Sequence, residues 1–302
     1  MGGWKLLLVK ALATAAIALI GFSVGLRARP ADVSWLWRRP GLLGRSLLAS
    51  VVVMPLVVLL LVQLFPLPPA TRLGLLMLSI VPAAPLALGK SAKQGGQGEY
   101  AISLQVTLIL LMVLTIPLLE WVLGSLLHQS LTVGALQATV KAVVTQIIPL
   151  GVGLLVAYQR PESAQRIARV TSKISNGLLL GLVVLILLVS ARAMLALGAV
   201  SYFAMAMAAA LAVLVGHALG GPVPETRRSL AVFTAMRHPG LAVLLVTLNA
   251  PGVKAAPAVL GYAILASVVL ALYGRLAGAR SGAPQGARLP AAGHRRPRIV
   301  AG

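Results

Sequence analysis

The chain has 302 residues, 59% of them hydrophobic and only 10% charged, with a mean hydropathy of +0.96. A soluble domain carries roughly a quarter charged residues, so a water-soluble globule is excluded. There is no cysteine, which excludes disulfides and thiol chemistry, and the net charge of +21 would suggest nucleic acid only if the chain were soluble.

The apolar residues gather into continuous runs of about 18 or more, the length that the hydrocarbon core demands of a spanning helix. Barrel strands would instead give short alternating segments. The pattern predicts an all-α membrane protein, a polytopic bundle of about nine transmembrane helices. Helix 1 is expected over 4–26. Lys5 and Lys10 ahead of an apolar run imitate a signal peptide, but the run is span-length and lacks a small-x-small cleavage site before Arg27. Helix 2 follows at 43–65, a broken helix 3 at 71–97 and helix 4 at 98–124. Helices 5, 6 and 7 fall at 132–157, 171–191 and 198–219, helix 8 at 228–250 and helix 9 at 254–274. Residues 1–280 form the transmembrane domain, and 281–302 a basic tail of Gly, Ala, Pro and Arg. Such a tail cannot bury enough apolar surface to fold alone.

The basic residues orient this bundle. With the N-terminus outside, 17 Lys and Arg lie on the cytoplasmic side, in the segments around Arg27–Arg45, Arg160–Lys173, Arg227–Arg228 and from Arg275 onward. Five lie outside: Lys5, Lys10, Arg72, Arg192 and Lys254. Because Lys and Arg near helix ends are retained inside, the asymmetry puts the C-terminus in the cytoplasm, in a bacterial inner membrane.

Four cations remain at or within apolar segments: Lys90, Lys93, Lys141 and Arg237. Two of these segments are also interrupted by helix breakers. The first, VPAAPLALGKSAKQGGQGEY at 81–100, contains Pro82, Pro85 and several glycines; the second, FTAMRHPGLAVLLVTLN at 233–249, contains Pro239–Gly240. Proline removes a backbone donor, and in a bilayer the freed groups are tolerated only inside protein or along a cavity. Paired broken helices are the sequence pointer to a transport site.

Arg237, beside His238, Pro239 and Gly240, is the sharpest candidate for substrate binding. A guanidinium at bilayer depth costs a few kcal/mol and needs a partner or a wet cavity. The bland alternative pairs it with Glu120 or with helix-end carbonyls. Lys90 reads equally as a pocket lysine and as a loop lysine beside Lys93, and Lys141 as a snorkelling or seam-lining lysine. Glu120 and Trp121 read as interfacial anchors at the outer end of helix 4. No nucleophile–base pair is present, the four histidines have no metal-ligand spacing, and the glycines at 94–98 lack the GK[ST] of a P-loop. No enzyme, cofactor or metal is expected.

In order along the chain, FSVGLRARPADVSWLWRRP, VVVMPLVVLLLVQLFPLPP, VPAAP, AISLQVTLILL, QIIPLGVGLL and RHPGLAVLL resemble segments of the bile acid:sodium symporter family, over nearly the full length. The resemblance implies two inverted repeats and two broken helices crossing in a core domain that moves against a panel domain. It also implies alternating-access transport of small or amphipathic carboxylates. The chain is similar to a nine-helix form lacking the first helix of the ten-helix members. Ser103 and Thr107 match hydroxyl ligands of the family's cation site. Its glutamate ligand falls on Phe233, its glutamine on Arg237 and the following asparagine on His238, while an asparagine of the first broken helix falls near Leu88 or Lys90.

The reading is a symporter-like carrier of a small organic anion, with substrate-binding candidates Arg237, His238, Lys90, Pro85 and Gly240 and cation-site remnants Ser103 and Thr107. The coupling ion, Na+ or H+, stays open, and the substitutions argue against sodium at the usual sites. The partners are the substrate anion and the bilayer, with no nucleic acid. An auxin-efflux-type carrier, or a membrane subunit or enzyme without transport, is the alternative.

Overall fold

The computed structural model describes residues 3–81, 83–127, 137, 140, 143–250 and 252–277. Lys141, the first part of expected helix 5 and the 281–302 tail lie outside the described residues.

The elements are α1 (Gly3–Arg27), α2 (Pro30–Ser34), α3 (Pro40–Leu64), α4 (Pro69–Ile80), α5 (Ala87–Lys93) and α6 (Gly98–Leu127), then α7 (Val143–Gln159) and α8 (Pro161–Leu195). The chain continues through α9 (Ala199–Leu219), α10 (Pro224–Ala235), α11 (Pro239–Asn249) and α12 (Ala256–Leu276). The architecture is all-α. Counting α4 with α5 and α10 with α11 as broken units, the described helices fill the nine places read from the sequence. Helices α3, α6, α9 and α12 are each long and apolar enough to cross a membrane. The outward faces of two of them carry leucines four apart, Leu56, Leu60 and Leu64 on α3 and Leu110, Leu114 and Leu118 on α6, all exposed. An i, i+4 stripe of exposed leucine is a face made for lipid.

Two expectations need correction. Helix 6 is not confined to 171–191, because α8 begins at Pro161 and carries Arg166, Arg169 and Lys173 on its first turns rather than in a loop. Proline at the first helical position and Glu162 in the first turn start the helix well before the apolar run. Glu120 is not an interfacial anchor. It is fully buried, whereas its neighbour Trp121 is 60% exposed.

The helices form two groups. α1 lies along α7 and α8, and it meets α7 backbone to backbone. A Cβ on Gly25 would overlap Leu150 O and Leu154 N, and one on Gly153 would overlap Phe22 O and Leu26 N. Without a hydrophobic drive between helices in lipid, such close approach of small residues supplies the packing. The second group holds α3 to α6 and α9 to α12, with α9 against α10 through Gly216, where a Cβ would overlap Ala231, and through Ala212, whose carbonyl accepts from Thr234 Oγ1. In it one order occurs twice: a long helix, a broken pair and a long helix, as α3, α4/α5, α6 and again as α9, α10/α11, α12.

One irregularity prepares the site. α3 is π-helical over Leu48–Val53, with the Met54 N–H donating to Ala49 O. The next N–H in that register would reach Ser50 O, but residue 55 is proline and has none. The Ser50 carbonyl is therefore left for a partner outside its helix.

Candidate substrate and ion site

The chain is non-helical at 81 and 83–86 and again at 236–238, which frees several peptide groups there. The two breaks then satisfy each other. Ala83 and Arg237 form an antiparallel bridge, and Ala84 N donates to Met236 O at 2.8 Å. Tyr262 Oη on α12 donates to Ala235 O at 3.0 Å, and Gln105 Nε2 on α6 donates to Ala83 O at 3.3 Å. Buried carbonyls must find donors, and here side chains from the neighbouring long helices supply them.

Arg237 is the centre of this arrangement. Its side chain is 5% exposed. Nε donates to Thr234 O at 2.9 Å, Nη1 to Val81 O at 3.1 Å and Nη2 to Ser50 O at 3.0 Å. Thr234 lies in the last turn of α10, and Val81 directly follows α4. The guanidinium thus sits where the negative ends of two half-helices converge, beside the carbonyl orphaned by Pro55. Of the two partners weighed for Arg237, helix-end carbonyls are observed. Glu120 instead accepts from Asn249 Nδ2 at 2.7 Å.

The other candidates distribute as follows. His238 is buried and caps α11, its Nδ1 accepting from Leu241 N at 3.3 Å. Pro85 is buried in the first break, and Gly240 is exposed in the first turn of α11. A Cβ on Gly240 would come within 3.4 Å of Ile17 on α1, so this turn faces the other helix group. Lys90 is half-buried on α5, one turn beyond the break. Arg237, His238, Pro85 and Gly240 are brought together.

Ser103 and Thr107 are turned elsewhere. Ser103 Oγ donates to Val33 O at 2.7 Å and accepts from Leu36 N at 3.0 Å. Thr107 Oγ1 donates to Ser103 O at 2.7 Å and accepts from the Trp37 indole at 3.1 Å. Both hydroxyls hold the α2 connection. Phe233, where the sequence resemblance would put the family's glutamate ligand, is fully buried in the core.

Sequence reasoning missed Gln105 and Ser50. Gln105 lies midway between Ser103 and Thr107, rotated about 200° from each, and that puts it on the crossing. Among the described residues its Oε1 and the Ser50 Oγ are buried without partners, as is the whole amide of Gln146 on α7. The signal for Ser50 was present as the proline five residues later. Among the described residues no group of His, Asp or Glu is arranged to hold a metal ion. An open pocket lined by Phe65, Arg72, Leu126 and Leu127 lies away from the crossing, where α3, α4 and α6 meet at one end of the bundle.

The family described as the Sodium Bile acid symporter family matches residues 14–197, more than half of the chain. The match includes the first break and ends before the second. No curated protein is significantly similar to the chain.

Proposed function

The chain belongs to the sodium bile acid symporter family, a family of transporters, and we propose that it carries a small or amphipathic organic anion by alternating access with a built-in cation at the helix crossing. The observation that carries this reading is the Arg237 guanidinium held by Ser50 O, Val81 O and Thr234 O. Half-helix ends and unwound carbonyls are the groups that coordinate sodium in transporters of this architecture. Here a tethered cation occupies them.

Three of the five N–H donors of Arg237 are engaged by these carbonyls, which leaves two to meet a carboxylate. The anion also meets the N-terminal end of α11 at Gly240, the His238 cap and, one turn away on α5, Lys90. Gln105 Oε1 and Ser50 Oγ supply polar atoms that no described group uses. Because Gly240 faces Ile17 across the two helix groups, motion of one group against the other would expose the bound anion to one side and then the other.

A sodium ion about 4 Å from the guanidinium would be repelled by roughly 4 kcal/mol at an effective dielectric of 20. That lowers its affinity by about three powers of ten. Transport is therefore expected to be indifferent to replacing sodium by potassium.

The test is counterflow of a labelled bile acid and of simpler carboxylates in proteoliposomes, with each cation in turn. We expect equal rates in the two cations, loss of uptake in Arg237→Ala and weakened uptake in Arg237→Lys. A point-like ammonium reproduces a planar bidentate contact poorly. Uptake saturable in sodium and unharmed by Arg237→Ala would overturn the reading.

A further inference from the structure

α6 continues past the crossing, and Glu120 lies fifteen residues beyond Gln105, about 22 Å along the helix. It is the one fully buried carboxyl of the five acidic residues, since Asp32, Glu99, Glu162 and Glu225 are all exposed or half-exposed. Its partner is Asn249, the last residue of α11. Asn249 Nδ2 donates to Glu120 Oε1 at 2.7 Å and to Leu245 O at 3.0 Å. That uses both amide protons. Glu120 Oε2 and Asn249 Oδ1 are left buried with no partner among the described residues.

Two orphan acceptors in one side-chain pair form a specific defect. If Glu120 were ionised, a buried charge would have, among the described residues, one side-chain hydrogen bond and no cation. No described cation forms an ion pair with it. Of the elements packed on α6 and α11, α4 contributes Arg72, which lines the open pocket at that end, and the α11–α12 connection contributes Lys254, which is exposed. α7 has no Asp, Glu, Lys, Arg or His between Val143 and Gln159, and α2, α5 and α10 meet α6 toward its Glu99 end. One proton repairs both orphans at once. On Oε2 it turns an acceptor into a donor, and Asn249 Oδ1 is the acceptor it needs. Acid and amide then close a ring of two hydrogen bonds. Unpaired buried carboxylates are costly, and neutralising them is the usual escape.

We propose that Glu120 and Asn249 form a proton-binding site that latches α6 to the end of α11. The proton binds from water to the carboxylate and leaves to water, with no other bond made or broken. α11 runs from the His238 cap to Asn249, about 16 Å of continuous helix. Gain or loss of the proton therefore acts on the same half-helix that begins at the crossing. As the coupling ion, the proton takes the role that the tethered Arg237 denies to sodium. That coupling rests on the transport reading, while proton binding itself does not.

The test uses the full chain in lipid and infrared difference spectra taken from mildly acidic to mildly alkaline pH. The wild type should show the C=O stretch of a protonated carboxyl in a non-aqueous site, lost as the pH rises. Glu120→Gln, which keeps the two-bond ring with Asn249 and should fold, should lack the band. In proteoliposomes an inward proton gradient should accelerate uptake of a labelled bile acid by the wild type but not by Glu120→Gln. No protonated band in the wild type, a band that persists in Glu120→Gln, or carboxylate bands that shift on adding sodium would each overturn the proposal. Failure of the wild type to carry any bile acid would count against the transport reading and leave the infrared result standing.

Discussion

Arg237 is a residue whose surroundings are fixed by what other residues cannot do. Pro55 cannot donate to Ser50 O, and the interrupted ends of α4 and α10 cannot bond Val81 O and Thr234 O within a helix; one guanidinium serves all three. Removing it in Arg237→Ala leaves three buried carbonyls unsatisfied, at about 1–3 kcal/mol each. The variant should therefore show a markedly lower unfolding temperature in detergent as well as lost transport. Arg237→Gln makes a sharper test. It supplies the amide that the sequence resemblance would put at this position and vacates the carbonyl cluster, so sodium but not potassium should raise its unfolding temperature. The wild type should respond to neither. Equal sodium responses in the two proteins would mean that the guanidinium does not occupy a cation position.

At the level of elements, the contact of α1 with α7 is decided by which glycine faces which backbone. Gly151 and Gly153 lie two residues apart on α7. A Cβ on Gly151 meets nothing within 4 Å, whereas one on Gly153 overlaps the α1 backbone. Gly153→Ala should force the helices apart and cost about 1–3 kcal/mol, in the manner of overpacked cores. Gly151→Ala should be neutral or stabilise the helix by up to about 1 kcal/mol. Thermal unfolding of both variants in the same detergent checks the contrast. Equal effects would show that the close approach is not what holds α1.

For the molecule as a whole, the basic-residue asymmetry predicts an orientation, N-terminus outside and C-terminus in the cytoplasm, that the fold alone does not give. The chain has no cysteine, so each introduced thiol is the sole label. Val223→Cys, between α9 and α10, and Ala196→Cys, between α8 and α9, both replace exposed residues. In intact cells a membrane-impermeant thiol reagent should modify Ala196→Cys and spare Val223→Cys until the membrane is opened. The reverse pattern would invert the topology.

The sequence by itself determined the helices, because spans are local. A run of apolar residues of sufficient length has only helix available in lipid, and α3, α6, α9 and α12 fall within a few residues of where the runs put them. It also marked both breaks, since proline acts on its own backbone wherever it sits. It could not give the partners. The resemblance matched Ser103 and Thr107 to hydroxyl ligands of the family, yet their hydroxyls hold the α2 connection, because the face a helix presents depends on what packs beside it. Glu120 looked like a residue near a helix end and is buried, because α11 ends against it with Asn249. That Arg237 bonds carbonyls from α3, the first break and α10 follows from bringing residues 50, 81 and 234 together. Hydrogen bonds between segments so far apart in the chain leave no periodicity or spacing to read, and only the packed bundle decides them.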